Sequence, residues 1–179
     1  FEECTRTIIR QVDELKSLVN EFATFARLPS GEHMPEDLNA LVEEATVLFK
    51  EGHREIRFSF DPDPALPRLP LDREGIKRAI INMLDNAVAA CNGATNGVEP
   101  RIDVRTRFHR AHGIVALEIA DTGSGIAPDV RARLFEPYFS TKQGGTGLGL
   151  AIVSTIVADH QGFVRVKKNE PRGSRFVVE

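Results

Sequence analysis

The spacing of hydrophobic residues changes several times along the chain, and each change predicts a different element. Residues 1–28 contain neither Gly nor Pro, and their apolar side chains follow spacings of three and four: Ile8, Val12, Leu15, Val19, Phe22 and Ala26. This pattern predicts one helix of about 40 Å with a narrow, heptad-like stripe. Such a stripe favours pairing with another helix in a bundle between chains, and docking on the same chain is the alternative.

A second helix is predicted after a short linker at residues 29–37, where Pro29 and Gly31 end the first helix. Asp37 or Asn39 can cap this second helix, which is expected to run to about residue 50. Its inward side chains are expected to be Leu41, Ala45 and Leu48.

Asp72 can cap a third helix that runs to about Cys91. On a helical wheel its apolar face is broad and contains Ile76, Ile80, Met83, Leu84, Ala87 and Val88. Asn82 and Asn86 lie together at the edge of this face, whereas Asp85 is expected to point to solvent. The helix therefore combines a core face with a polar margin.

Strands and shorter helices are predicted for the rest of the chain. Alternating patterns indicate strands at residues 56–60, 102–108 and 114–120, and a final hairpin at 162–168 and 174–178. Short helices are expected at residues 128–134 and 148–160, and residues 61–70 read as a loop or an edge. Mixed helices and antiparallel strands predict an α+β fold of two layers.

Composition then narrows the class of protein. Of the 179 residues, 41% are hydrophobic and 27% are charged, which is ordinary for a soluble globular domain. The net charge of −3 gives no basic surface for nucleic acid or anionic lipid. No apolar run reaches the ~20 residues of a membrane span. Cys4 and Cys91 have no metal-binding spacing, so a reducing compartment is expected.

Asn82 and Asn86 form the first candidate for chemistry. Residues four apart share one face of a helix. A carboxamide oxygen is a neutral, hard ligand that suits Mg²⁺, which uses few protein groups and keeps several waters. The alternative is an ordinary polar helix edge.

Asp121 follows the strand at 114–120 and is the second candidate. A carboxylate at a strand end can accept a hydrogen bond from an exocyclic amine such as that of adenine. Gly123 and Gly125 have no Cβ, so their backbone can approach a flat ring closely. The alternative is a simple turn after a strand.

The third candidate is the glycine-rich loop at residues 144–149, which leads into the helix at 148–160. It has neither the Gly-Lys-Ser/Thr ending of a Walker A loop nor the spacing of a dinucleotide fingerprint. Its amides can hold phosphates at the start of a helix. Lys142 could also reach a phosphate. The alternatives are a flexible loop with a helix cap and a solvated lysine.

Taken in order, these segments resemble the ATP-binding catalytic domain of sensor histidine kinases, in the superfamily shared with gyrase, Hsp90 and MutL. The corresponding boxes are residues 82–87, 121–126, 135–139 and 145–150, with a weaker last box at 173–176. The resemblance implies a two-layer α/β sandwich of the Bergerat type over residues 38–179. It also implies that residues 1–28 are the second helix of a dimerisation hairpin. At the end of this helix, the sequence of residues 21–29 resembles that of the nitrogen-regulation sensor kinases.

The same resemblance implies ATP and Mg²⁺ as cofactors and assigns roles to residues. Asn86 would be the Mg²⁺ ligand, and Asn82 and Lys142 would act at the phosphates during catalysis. Asp121 would bind the adenine amine. The remaining contacts to the nucleotide would come from Gly123, Gly125, Ile126 and Tyr138 around the base, and from Gly145, Thr146, Gly147, Leu148, Gly149 and Leu150 in the lid.

The implied function is transfer of the γ-phosphoryl group to a histidine on a dimerisation helix. No histidine box of that kind occurs here, because the histidines fall in loops, turns or a helix end: His33, His53, His109, His112 and His160. We therefore expect a fragment that binds ATP but does not autophosphorylate. Ala89 stands where some members carry a Lys, so Lys142 or Arg131 would supply more of the charge at the phosphates.

The expected partners are a second copy, paired through the N-terminal helix of the intact protein, and a response regulator, with no nucleic acid. The expected location is the cytoplasm, with a membrane reached only through parts of a parent chain outside this sequence. Two other functions stay open. One is a Ser/Thr kinase of the anti-sigma type, and the other is a nucleotide-gated, non-catalytic dimerisation or docking module.

Overall fold

The computed structural model describes residues 5–9, 11–12, 15–16, 19, 31–93, 97, 99–142 and 145–179. The described residues before position 20 are helical. Apolar side chains among them are exposed, namely Ile8, Ile9, Val12, Leu15 and Val19. Much of the predicted helix over residues 1–28 lies outside the described residues, so its continuity stays a prediction.

Seven strands are found in the described part of the chain: β1 (Met34–Glu36), β2 (Arg57–Asp61), β3 (Leu69–Leu71), β4 (Arg101–His109), β5 (Ile114–Asp121), β6 (Val164–Lys168) and β7 (Ser174–Val178). The main sheet has the order β2-β4-β5-β7-β6. Strand β2 runs parallel to β4, and the other neighbours are antiparallel. Strands β1 and β3 form a separate antiparallel pair.

Four helices accompany these strands over the same ranges: α1 (Leu38–Gly52), α2 (Arg73–Asn92), α3 (Pro128–Arg133) and α4 (Gly149–Asp159). The carboxylate of Asp37 caps α1 by accepting from the amide of Ala40 at 3.2 Å. The carboxylate of Asp72 caps α2 in the same way from Gly75 at 3.1 Å. Helix α2 packs against α1, α4 and the strands β4 and β5. This helix layer on a mixed sheet confirms the predicted two-layer α+β fold.

The core lies between α2 and the sheet, where every residue predicted for the apolar face of α2 is buried. In α1 one expectation is wrong: Leu48 is 60% exposed, and Phe49, at 8%, is inward instead. At 3.6 residues per turn, the buried face of α1 is centred on Leu38, Ala45 and Phe49. Leu48 therefore lies on its margin, in the last turn of the helix.

The predicted linker contains ordered structure that the local pattern does not reveal. Strand β1 lies within residues 29–37 and pairs with β3, whose first residues lie in the predicted loop at 61–70. The ring of His33 stacks on that of His160 with centroids 4.4 Å apart. Residues 31–36 are thus attached to the segment 38–179, while the predicted division into domains stays a prediction. Among the described helices, none has the length and apolarity needed to cross a membrane.

Candidate functional site

A cavity of about 380 Å³ opens between α2, the N-terminal end of α4 and the segment that joins α3 to α4. Its walls come from three stretches of the chain: Asn82, Asp85 and Asn86 on α2, Leu134, Phe139, Ser140, Thr141, Lys142, Gly145, Thr146 and Gly147 in the joining segment, and Gly149 and Leu150 on α4. The structure therefore brings together the asparagine pair, the lysine and the glycine loop that the sequence selected separately.

The two asparagines are oriented by the helix that carries them. The side-chain amide of Asn82 donates to the carbonyl of Arg78 at 3.1 Å, and that of Asn86 donates to the carbonyl of Asn82 at 2.9 Å. Their NH₂ groups are thus engaged with the helix backbone, which leaves the amide oxygens as acceptors. A Cβ at Gly149 would lie 3.0 Å from Oδ1 of Asn82, so the glycine allows α4 to approach this side chain closely.

The ammonium group of Lys142 contacts the side-chain oxygen of Asn86. Its Nζ donates a hydrogen bond to Asn86 Oδ1 at 2.5 Å. This carboxamide oxygen on the cavity wall is a neutral, hard donor, which is the type of ligand that Mg²⁺ takes from a protein. The residues present therefore fit the Mg²⁺ that the sequence predicts.

Asp85 is the acidic residue among those that line the cavity. Its side chain is exposed to solvent, as expected, and lines the cavity as well. Burial raises the pKa of Asp85, and the nearby Lys142 charge opposes this shift. Burial lowers the pKa of Lys142, and Asp85 opposes that shift in turn. The spacing of three from Asn82 could have indicated this position, since residues three apart share a helix face.

Asp121 is almost completely buried, at 1% exposure, where β5 ends. Its Oδ1 accepts hydrogen bonds from the amides of Gly123 at 2.8 Å and Ser174 at 3.2 Å. Within the described ranges no other residue donates a hydrogen bond to Oδ2, which leaves this oxygen for an external donor. Burial raises the pKa of the Asp121 carboxyl, and the backbone hydrogen bonds partly oppose the shift.

The turn after Asp121 is packed directly on α2. A Cβ at Gly123 would lie 2.4 Å from the carbonyl carbon of Ala90, and the amide of Ser124 donates to the oxygen of Ala90 at 3.1 Å. Gly125 follows with φ +76°. The two glycines thus permit a turn that brings Asp121 beside the helix carrying the asparagines.

The glycine loop is held against the preceding segment by backbone contacts. Gly147 has φ +70°, and a Cβ there would lie 2.5 Å from the carbonyl carbon of Tyr138. The amide of Tyr138 donates to the carbonyl of Gly147 at 3.1 Å. The guanidinium of Arg133 lies over the ring of Phe139, 4.4 Å from its centroid. These contacts fix the two sides of the cavity mouth relative to each other.

Several predicted nucleotide contacts do not line this cavity: Asp121, Gly123, Gly125, Ile126, Tyr138 and Leu148. Leu148 is fully buried in the core, so its side chain packs beneath α4. Tyr138 is 60% exposed and has φ +65°. The cavity therefore corresponds to the predicted phosphate end, and the residues predicted for the base lie outside its walls.

Four further lining residues were not named as site residues from the sequence, although Phe139 lies in the predicted box at 135–139: Leu134, Phe139, Ser140 and Thr141. Ser140 and Thr141 precede Lys142 directly, and that adjacency is a usable signal. The Oγ of Ser140 accepts from the amide of Lys142 at 3.1 Å and so shapes the turn that carries the lysine. Leu134 has no such signal, because an apolar residue at a helix end is typical of core packing.

A second group of possible metal ligands consists of His33, Asp159 and His160. The amide of Asp72 donates to Nε2 of His160 at 2.9 Å, so Nδ1 carries the proton and donates to the carbonyl of Ile156 at 2.7 Å. Both ring nitrogens of His160 are therefore engaged, and His33 has its own contact of 3.1 Å with Asp159. This arrangement serves packing at the end of α4 and leaves no ring nitrogen of His160 for a metal.

Residues 71–179 match the family described as histidine kinase-, DNA gyrase B- and HSP90-like ATPases. The nitrogen regulation protein NtrY of Azorhizobium caulinodans is 35% identical over 97% of this chain and 22% of its own length. The sensory histidine kinase/phosphatase NtrB of Vibrio alginolyticus is 34% identical over 92% of this chain and 48% of its own. The chain thus spans less than half the length of these curated relatives.

Solved structures give the same result for the fold. Full-length ShkA in complex with AMPPNP superposes with a TM-score of 0.82, at 30% identity, over 98% of this chain and 38% of that chain. The histidine kinase ThkA in complex with the response regulator TrrA superposes with a TM-score of 0.75, at 27% identity, over 96% and 48%.

Proposed function

This chain belongs to the family of histidine kinase-, DNA gyrase B- and HSP90-like ATPases, and from that premise we propose that it is the ATP-binding catalytic portion of a two-component sensor histidine kinase. The observation that carries the proposal is the cavity in which Asn82, Asn86 and Lys142 face the N-terminal end of α4. The names of the relatives support the histidine kinase branch in particular.

The phosphates of ATP would lie in this cavity. Gly149 and Leu150 line the cavity at the N-terminal end of α4, where free helix amides and the positive end of the helix dipole favour an anion. Gly145, Thr146 and Gly147 would close over the phosphates as a lid, with the ammonium of Lys142 as the charged member. Leu148 would contribute its backbone, since its side chain is in the core.

Asn86 would be the protein ligand of Mg²⁺, which when bound neutralises phosphate charge and orients the phosphoryl group. Its NH₂ group is held by the helix, so the oxygen faces the cavity without a change of rotamer. In this structure the same oxygen accepts a hydrogen bond from Lys142. We expect Lys142 to exchange Asn86 for a phosphate oxygen when nucleotide enters.

The base would be recognised at Asp121, whose Oδ2 is available to accept from the adenine amine. Gly123, Gly125 and Ile126 would lie along the ring, because their turn already packs beside α2. Tyr138 is exposed, and closing over the base would require it to turn inward.

Transfer would rely on positioning and charge neutralisation, because the amide of Asn82 cannot act as a general base. Asn82 would orient the phosphate end, and the acceptor histidine would come from a dimerisation helix outside this chain. The five histidines of the chain do not line the cavity. This chain alone is therefore expected to bind ATP without phosphorylating itself.

The proposed partners are a second copy and a response regulator. Exposed apolar residues at positions 8, 12, 15 and 19 support pairing of helices in the intact protein, and ThkA was solved with its regulator. The proposed location is the cytoplasm, and attachment to a membrane would come only from other parts of a parent chain. Neither the anti-sigma type of kinase nor the non-catalytic docking module is favoured by any relative named here.

The test is phosphoryl transfer in trans to a separately prepared phosphoacceptor hairpin from a related kinase, with γ-labelled ATP. We expect label on the hairpin histidine, no label on this chain, and loss of transfer in Asn86→Ala. Absence of transfer together with saturable, Mg²⁺-dependent ATP binding would contradict the kinase and favour the docking module.

A further inference from the structure

The turn between β6 and β7 packs directly against Asp121. Gly173 has φ +105°, and a Cβ there would lie 1.9 Å from the carbonyl oxygen of Asp121. The next residue, Ser174, donates its amide to Asp121 Oδ1 at 3.2 Å. The turn thus contacts both the backbone and the carboxylate of the residue proposed to read the base.

Asn169, at the start of this turn, is 5% exposed, and both ends of its side chain are used. Its Nδ2 donates to the carbonyl oxygen of Asp121 at 2.8 Å. Its Oδ1 accepts from Nη2 of Arg175 at 3.2 Å, and its backbone amide donates to Gly173 at 3.0 Å. A buried amide with these partners has one orientation, because a flip would place a donor against Arg175 and an acceptor against the carbonyl.

Arg175 links this contact to the sheet. Its Nη1 lies 3.7 Å from Oε2 of Glu118 on β5, the strand that ends in Asp121. Nε of Arg175 is buried without a hydrogen-bond partner in the described part of the chain. The guanidinium therefore depends on Asn169 and Glu118 for its placement, and it holds Asn169 in turn.

We propose that Asn169 is a positioning residue for base selection, which fixes the backbone of Asp121 and thereby aims its free Oδ2 at the 6-amino group of the base. This inference rests on the proposed function, because it assumes that Asp121 receives adenine. The carboxylate is held at Oδ1 by two amides, and Asn169 fixes the carbonyl of the same residue. Selection of an amine depends on this placement, since a small displacement weakens a directional hydrogen bond.

The test compares the affinities for ATP and for purine riboside triphosphate, which lacks the 6-amino group, by competition against a fluorescent nucleotide with Mg²⁺. A hydrogen bond to a charged group predicts about 10- to 100-fold preference for ATP in the unmodified chain. In Asn169→Ala we expect this preference to fall to about threefold or less, mainly through weaker ATP binding. General destabilisation would lower both affinities and leave their ratio unchanged.

Asn169→Asp sharpens the test at about pH 8, where the introduced carboxylate is ionised. This variant keeps the acceptor for Arg175 but removes the donor to Asp121, so we expect the same loss of preference. It also provides an isosteric variant in case Asn169→Ala does not fold. Preference retained in Asn169→Asp, or in a folded Asn169→Ala, would overturn the inference.

Asn39, in the first turn of α1, offers a matched control that has no contact with Asp121 among the described hydrogen bonds. Both polar atoms of its side chain are also hydrogen-bonded: Nδ2 donates to the carbonyl of Asp63 at 2.9 Å, and Oδ1 accepts from the hydroxyl of Thr106 at 2.6 Å. Asn39→Ala is expected to lower stability without changing the preference for ATP. If the unmodified chain binds both triphosphates equally, base reading by Asp121 itself is contradicted, which separates failure of the proposed function from failure of this inference.

Discussion

At the scale of single residues, the contact between Lys142 and Asn86 joins the segment before the glycine loop to α2 across the cavity. The lysine supplies a cation to the amide oxygen and lies near Asp85. The charges of Lys142 and Asp85 balance each other while burial acts against both. Mg²⁺ and the phosphates of ATP also carry opposite charges. Their entry would replace the balance between Lys142 and Asp85 with a balance between metal and phosphate.

Asn86→Ala should therefore remove the dependence of nucleotide binding on Mg²⁺. We expect affinity for the Mg²⁺ complex to fall at least about tenfold, while the weaker binding measured in EDTA changes little. Isothermal titration in both conditions measures the two affinities. Asn92, exposed at the end of the same helix, provides the control variant Asn92→Ala. An unchanged Mg²⁺ dependence in Asn86→Ala would exclude Asn86 as the ligand.

Asp121 predicts a dependence on pH that follows from its burial. Burial raises the pKa of this carboxyl, so the folded state favours the protonated form. The contribution of Asp121 to stability is then greatest below its unfolded pKa and is lost as the pH rises through the folded pKa. Nucleotide binding has the opposite sign, because a protonated carboxyl is a poorer acceptor for the adenine amine.

We thus expect ATP affinity to fall severalfold as the pH is lowered through the raised pKa of Asp121, while folding stability gains from the same protonation. Titrations and denaturant unfolding over the same pH series measure both effects. In Asp121→Asn the ATP affinity and the folding stability should both depend less on pH. A pH dependence of binding that is identical in Asp121→Asn would mean that another group causes it.

At the scale of elements, the helices and long strands were predictable because their patterns are local. The face of α2 and the strands β4 and β5 follow from hydrophobic period alone. Strand β1 was missed and the region of β3 was predicted only as a loop or an edge, since each strand has three residues and their pairing joins Pro35 to Pro70 across the chain. A local pattern contains no information about such a distant partner.

The residues of the candidate site also divide into those with a local signal and those without one. Asn82, Asn86 and Lys142 were identified from spacing and order, and they do share one cavity. Asn169 was not identified, because its contact with Asp121 joins residues separated by 48 positions. The fold brings such residues together, and only the structure reveals the contact.

A substitution at Gly147 tests the packing of the lid against the preceding segment. A side chain at this position meets both an unfavourable φ of +70° and the backbone of Tyr138 at 2.5 Å. We expect Gly147→Ala to weaken nucleotide binding strongly and to lower stability by about 2 kcal/mol or more. Binding and denaturant titrations of the variant provide the measurements.

Gly113 is the matched control for that variant, because its φ is +63° and a Cβ there meets no atom within 4 Å. Gly113→Ala should therefore lower folding stability only through the unfavourable backbone conformation, by about 1 kcal/mol. Equal effects of the two substitutions on nucleotide binding would show that the close approach of Gly147 to Tyr138 has no role in the lid.

At the scale of the whole molecule, exposed apolar side chains near the N-terminus predict self-association. Positions 8, 12, 15 and 19 are all exposed, with Leu15 at 59%. Apolar side chains exposed at the spacing of one helix face favour association. We expect sedimentation to reveal oligomers that increase with concentration and diminish in Leu15→Lys.

Leu48 is an equally exposed leucine on α1, at 60%, and Leu48→Lys is the control. It should leave the association unchanged, because it lies outside the N-terminal stripe. A monomer at high concentration in the unmodified chain would contradict this prediction.

The central claim is that this chain binds Mg²⁺ and ATP with the base at Asp121 and the phosphates beside Asn86 and Lys142. Calorimetric titration with a non-hydrolysable ATP analogue and Mg²⁺, on the unmodified chain and on Asp121→Asn, tests it most directly. We predict saturable binding with one site per chain, weakened at least about tenfold in Asp121→Asn. No binding by the folded, unmodified chain, or equal binding by the variant, would contradict the account.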